Sequence, residues 1–187
     1  NAVLPLARAR APETKLYVVG KNPHPRLDSL RGVEGVTLTG YVEDVRPYIA
    51  GASAYVVPLQ SGGGTRLKVL EAMAMGRPII MGVRGPARDI VMQSGAGVEM
   101  EPDSAPSLVE AVETLADDRA LLARLGRTAR QRVAADFNRD VLAARFLELM
   151  ERVAGVVPTI PLPQPQPETT SQPALLPRTE SHDREAA

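Results

Sequence analysis

Three consecutive glycines occur at Ser61-Gly62-Gly63-Gly64-Thr65-Arg66, immediately before the apolar run Leu67 to Met75. Backbone without Cβ atoms approaches a ligand closely and aims successive amides at an anion, while Thr65 has the side chain of a helix cap and Arg66 adds a permanent positive charge. A diphosphate is the ligand such a turn would cradle; a flexible surface turn is the plainer use of the same glycines. In the run that follows, Leu67, Val69, Leu70, Ala72, Met73 and Ala74 make a helix apolar on nearly every side, as suits burial between layers. Glu71 is out of place there, because an ionised carboxylate is seldom buried without a partner. Gly64, Lys68 and Glu71 follow one another at i, i+4 and i+7 and share a face, and Glu71 lies on the order of 9 to 10 Å along the axis from the turn. A nucleoside diphosphate spans that gap, with phosphate on the glycine amides and ribose hydroxyls donating to the carboxylate. A solvated surface glutamate is the alternative for Glu71.

Such a turn needs a strand before it and a buried helix after it, and the chain supplies both repeatedly. Short apolar runs at Leu16 to Val19, Val36 to Leu38, Ala54 to Val57, Pro78 to Met81 and Gly97 to Met100 each end near glycine or proline. Several are continuously apolar, as in parallel strands covered on both faces. Helical patterns lie between them at about 44–51, 66–75 and 87–92, one precedes them at Val3 to Ala11, and three follow at about 105–116, 118–134 and 138–154. This alternation predicts a doubly wound α/β sheet, in which ligands bind beyond the carboxyl ends of the strands, where helix N-termini present free N–H groups. From Val156 the composition changes to Pro-Leu-Pro-Gln-Pro-Gln-Pro and then to polar and charged residues. Residues 1–155 are therefore expected to form one domain and 156–187 a disordered proline-rich tail.

Composition removes several function classes. Twenty-two lysines and arginines balance 22 aspartates and glutamates, so no net field favours nucleic acid. With no cysteine, thiolate catalysis and cysteine-based metal sites are excluded, and the two histidines, His24 and His182, are too far apart in sequence to suggest a metal cluster. No stretch approaches a transmembrane helix. Plain structural uses suit other polar residues at the expected ligand edge: Lys21 as a solvated loop lysine, Gly85, Pro86 and Asp89 as turn chemistry, and Arg77 as a helix-ending cation.

The run Gly63-Gly64-Thr65-Arg66-Leu67-Lys68-Val69-Leu70-Glu71-Ala72-Met73-Ala74-Met75-Gly76-Arg77-Pro78-Ile79-Ile80 resembles the signature segment of group 1 (GT4-like) glycosyltransferases. Val18-Val19-Gly20-Lys21, Gly40-Tyr41-Val42-Glu43-Asp44, Tyr48-Ile49-Ala50 and Ala54-Tyr55-Val56-Val57-Pro58 occur around it in that family's order and spacing. The resemblance covers about residues 3–152 and is closest to bacterial sugar transferases of envelope or exopolysaccharide assembly. It implies a Rossmann-like, doubly wound parallel sheet forming the donor-binding half of a GT-B fold, with the nucleotide-sugar as donor substrate, no obligatory metal and retention at the sugar.

By the same resemblance Glu71 binds the donor's ribose, the loop from Gly40 to Val42 offers main-chain contacts to the base, and the glycine-turn amides of Gly62, Gly63 and Gly64 hold the diphosphate and sugar; Thr65, Arg66 and Lys68 are expected beside them as donor-binding residues. Gly63 stands where the commoner family pattern has a second glutamate that touches the transferred sugar. No catalytic residue is expected within this chain. Family members carry a glycine-rich strand and loop, and an acceptor-binding domain, upstream of the first helix here, so the chain is expected to be an N-terminally truncated piece, inactive alone, whose partner is that acceptor domain. The expected location is the cytoplasm, with the inner face of the membrane as the place where the other half would associate. A GT-B nucleotide-sugar epimerase and a non-catalytic α/β module that binds nucleotide or protein remain as alternatives.

Overall fold

The computed structural model describes residues 3–21, 25–59 and 67–155. Helix α1 (Val3–Arg10) leads into strand β1 (Leu16–Val19), a short 3-10 turn at Pro25–Leu30 and strand β2 (Val36–Gly40). Then come α2 (Arg46–Gly51), β3 (Tyr55–Val57), α3 (Leu67–Ala74), β4 (Ile79–Met81), α4 (Pro86–Ser94) and β5 (Gly97–Glu99). Three helices close the described chain: α5 (Ala105–Asp117), α6 (Arg119–Asp136) and α7 (Arg139–Ala154). All strand pairings are parallel, and the strands form two hydrogen-bonded sets, β1 with β2 and β3-β4-β5 in that order. The architecture is Rossmann-like α/β, with helices on both faces of the strands. The expected tail at 156–187 lies outside the described residues.

The continuous apolar runs are explained by β4. Ile79, Ile80 and Met81 are all fully buried, because β3 and β5 flank the strand and helices cover both faces. Alternation sends Ile79 and Met81 into a core with Val69, Ala72 and Met73 of α3, Val91 of α4 and Ala129 of α6. Ile80 enters a second core with Ala111 and Leu115 of α5 and Leu125 of α6. Helix α3 is thereby fixed on one side of β4, with α6 packed along it.

Local chemistry sets the helix ends. Ser104, Asp118 and Asn138 cap α5, α6 and α7 by accepting from the N–H groups of Ser107, Leu121 and Asp140. Arg77 does more than end α3: its guanidinium donates to the carbonyls of Met75 and Ala52, both at 2.9 Å, tying the end of α3 to the end of α2. Helix α7 differs from the rest. It contains no buried residue, and Leu142, Phe146, Leu149, Met150 and Val153 are all exposed. Among the described residues no helix is long and apolar enough to cross a membrane.

One ion pair joins layers with two-point geometry. Arg88 of α4 donates from Nε and Nη2 to the two carboxylate oxygens of Glu99 on β5, each at 2.6 Å. That hydrogen bonding, then the charge of Arg88, holds the Glu99 carboxyl below the usual glutamate range. A lowered folded pKa stabilises the fold fully above the ordinary value of about 4.3, and the contribution disappears as pH falls through the folded pKa. Arg88→Gln should therefore melt below the parent at about pH 7 and approach it as pH falls to about 3, followed by circular dichroism. A gap that does not change with pH would show that the pair contributes nothing through ionisation.

Candidate functional site

The chain after β2 is turned by a bulge. Val18 pairs with Leu38 but Val19 pairs with Gly40, so Thr39 is the extra residue. Gly40 then adopts φ +67°, a left-handed conformation that favours glycine, and its carbonyl accepts from the Gly20 N–H at 3.2 Å and the Thr39 hydroxyl at 3.0 Å. The redirected segment runs through Val42, which is half-buried, to Glu43, Asp44, Val45 and Arg46 at the start of α2. Asp44 fixes that start. Its carboxylate accepts from the Arg46 N–H at 2.9 Å and from Arg46 Nε at 2.9 and 3.0 Å, which keeps it below the usual carboxylate range, with the guanidinium the larger cause. Tyr48 of α2 meets Tyr17 of β1 with ring centroids 6.3 Å apart, which braces the helix against the first strand pair.

Opposite this segment lies α3. Val69, Ala72 and Met73 face the core, whereas Leu67, Lys68 and Ala74 are exposed. The expectation of a helix buried between layers is corrected here, because only one face of α3 has a packing partner and the other lines an open cleft. The reason for calling Glu71 out of place, its position on a helix read as buried, falls with it: the side chain is 41% exposed and accepts a hydrogen bond from Lys68 Nζ at 2.9 Å through Oε2. Lys68 and Glu71 do share a face, as their spacing requires. Nearby, burial pushes the Tyr55 hydroxyl of β3 upward, with the charges of Lys68 and Glu71 acting on it in opposite directions.

Between the two walls is a cleft of about 810 Å³ lined by Glu43, Asp44, Val45, Arg46, Lys68, Glu71 and Met75. Each wall belongs to a segment that follows the carboxyl end of a strand, β2 on one side and β3 on the other, the place where open α/β folds bind ligands. A volume of several hundred Å³ with cations, carboxylates and two apolar side chains suits a polar small molecule. Of the residues expected at the site, the structure brings Lys68 and Glu71 together in this cleft, and Gly40 and Val42 lead into its other wall. Gly62, Gly63, Gly64, Thr65 and Arg66 lie outside the described residues. Sequence reasoning did not single out the Asp44–Arg46 pair. The available signal was an aspartate two residues before an arginine-proline helix start, the spacing at which an Asx turn closes.

Comparison with known proteins agrees with this architecture. The chain is 30% identical over 162 residues to a GDP-mannose-dependent alpha-(1-6)-phosphatidylinositol monomannoside mannosyltransferase of Mycobacterium tuberculosis, covering 79% of this chain and 42% of that relative. Among solved structures it resembles a sucrose-phosphate synthase from Thermosynechococcus elongatus, with a TM-score of 0.63 and 26% identity over 82% of this chain and 42% of that one. It also resembles Anabaena Alr3699/HepE in complex with UDP, with a TM-score of 0.62 and 19% identity over 79% of this chain and 44% of that one. The chain thus spans less than half the length of each of these proteins. Residues 1–118 match the family described as glycosyl transferases group 1, and with the parallel α/β architecture and the cleft beyond β2 and β3 this match establishes that the chain belongs to that family.

Proposed function

We propose that the cleft binds the nucleotide part of a nucleotide-sugar and that the chain serves as the donor-binding part of a glycosyltransferase. The observation that carries this reading is the placement of Glu71 and Lys68 on the open face of α3, opposite the segment that follows Gly40. In this arrangement the ribose hydroxyls donate to Glu71 and the base lies against the main chain from Gly40 to Val42. The diphosphate sits at the amino end of α3, on the amides of Gly62, Gly63 and Gly64 with Thr65, Arg66 and Lys68. Negative charge grows on the diphosphate as the anomeric carbon–oxygen bond breaks, and amides, helix dipole and cations stabilise it there. The anomeric carbon forms its new bond to a hydroxyl oxygen of a saccharide or lipid-linked acceptor, and the hydroxyl proton is released. We assign no catalytic residue and no obligatory metal to this chain, and we place acceptor binding in a partner domain. Family membership favours transfer over an epimerase or a non-catalytic module.

The test is an amide-shift titration of the chain with UDP, GDP and ADP. Uracil and guanine are the first bases to compare, since the Anabaena structure holds UDP and the mycobacterial relative is named for GDP-mannose. Saturable shifts at Gly40 to Arg46 and Lys68 to Met75 would support the reading and rank the bases. A folded chain whose spectrum is unmoved by all three would sink it.

A further inference from the structure

Among the described residues two cations line the cleft, and they are held very differently. Arg46 is bound to Asp44 through Nε and Nη2, with the Asp44 carboxylate also accepting the Arg46 backbone N–H, so its charge is committed. Among the described residues Lys68 is held by one contact, Nζ to Glu71 Oε2 at 2.9 Å, and its side chain is 61% exposed. A solvated pair of this kind, three residues apart on a helix, is weak and screened by salt. A ribose diol makes a two-point bond to the two oxygens of a carboxylate, and in the free chain the ammonium competes for one of them.

We propose that Lys68 is a positioning residue that changes partner when nucleotide binds: it holds Glu71 in the free chain, gives up the carboxylate to the ribose hydroxyls and turns to the diphosphate. The direction follows from the helix. Lys68 lies three residues nearer the amino end of α3 than Glu71, roughly 4.5 Å along the axis, on the side where the helix dipole favours an anion. The lysine stem is flexible and its ammonium is a compact charge, so the move needs no change of backbone. After the exchange the ammonium faces the charge of the diphosphate, and the carboxylate accepts hydrogen bonds from the ribose hydroxyls. It rests on the donor-site reading given above and adds to it the change of partner from Glu71 to the diphosphate.

The experiment compares a nucleoside with its diphosphate, uridine against UDP and guanosine against GDP, on the parent chain and on Lys68→Met, Lys68→Arg and Glu71→Ala, by amide-shift titration. Lys68→Met should weaken the diphosphate about tenfold while leaving the nucleoside unchanged or slightly tighter, because the carboxylate is now unoccupied. Lys68→Arg should recover most of the diphosphate affinity, and Glu71→Ala should weaken both ligands. Equal weakening of nucleoside and diphosphate by Lys68→Met would mean that Lys68 only orients Glu71, and no weakening of the diphosphate would also overturn the exchange. Should Glu71→Ala change neither ligand's binding, or the parent chain bind no nucleotide, the donor-site reading itself fails and the exchange with it.

Discussion

Alanine at position 97 is expected to lower the thermal unfolding midpoint by roughly 10 °C. Gly97 opens β5 and is paired in register with Ile79 of β4, the fully buried central strand of its sheet. A Cβ at this position would collide with the backbone carbonyl of Ile79 and stand 2.9 Å from Val91 Cγ1. The first of these neighbours is backbone and cannot rotate away, so relief requires β4 and β5 to separate or α4 to shift, which breaks the ladder that holds the core. Overpacking of this kind costs about 3 kcal/mol, and for a chain of this size each kcal/mol moves the midpoint by about 3 °C. Differential scanning calorimetry of Gly97→Ala measures it directly; a midpoint within a degree or two of the parent would show that β5 docks less closely on β4 than described.

Glu71→Ala is expected to weaken the preferred nucleoside diphosphate between about 10- and 100-fold, since hydrogen bonds to a charged acceptor contribute about 1.5–3 kcal/mol. The structure separates this loss from any loss of fold. Glu71 is half-exposed, its partner is the solvated Lys68, and the α3 residues that hold the core are Val69, Ala72 and Met73. Removing an exposed pair of this type changes stability by only about 0.5 kcal/mol, so the melting midpoint should barely move while the binding isotherm shifts. Calorimetric titration alongside a melt of the same sample reads both. A variant that binds as well as the parent would remove Glu71 from the site.

Much of the scaffold could be read from residue order because each strand has its own punctuation. Ile79-Ile80-Met81 is apolar on both faces, follows proline and stops at glycine, the pattern of a short strand covered on both sides. The same logic misjudged α3. Leu67 and Ala74 are as apolar as Val69, Ala72 and Met73, and nothing in the composition of the helix says which side meets β4 and which side meets water. Only the path of the neighbouring strands decides this, and Glu71 accordingly lies in an open cleft beside Lys68 instead of in a core. The opposite wall was harder still to anticipate. Asp44 and Arg46 have an ordinary surface composition, and their importance comes from the bulge at Thr39 and the turn at Gly40, which carry the chain from β2 across to face α3. A bulge in β2 depends on how β1 lies beside it, which is a property of pairing and not of either strand alone.

Helix α7 carries a consequence for how the molecule opens. With no buried side chain, it borrows almost nothing from the cores that secure α3, α5 and α6, and 16 residues of isolated helix are marginal in water even with the Asn138 cap and a left-handed Gly155 at its end. Its amides should therefore exchange with deuterium through local opening, with protection well below that of β4 and α6, whose exchange should require global unfolding. Exchange measured by mass spectrometry would separate two cooperative units in one chain: a slowly exchanging one built around Ile79, Ile80 and Met81, and helix α7, which detaches and returns many times for each time the rest unfolds.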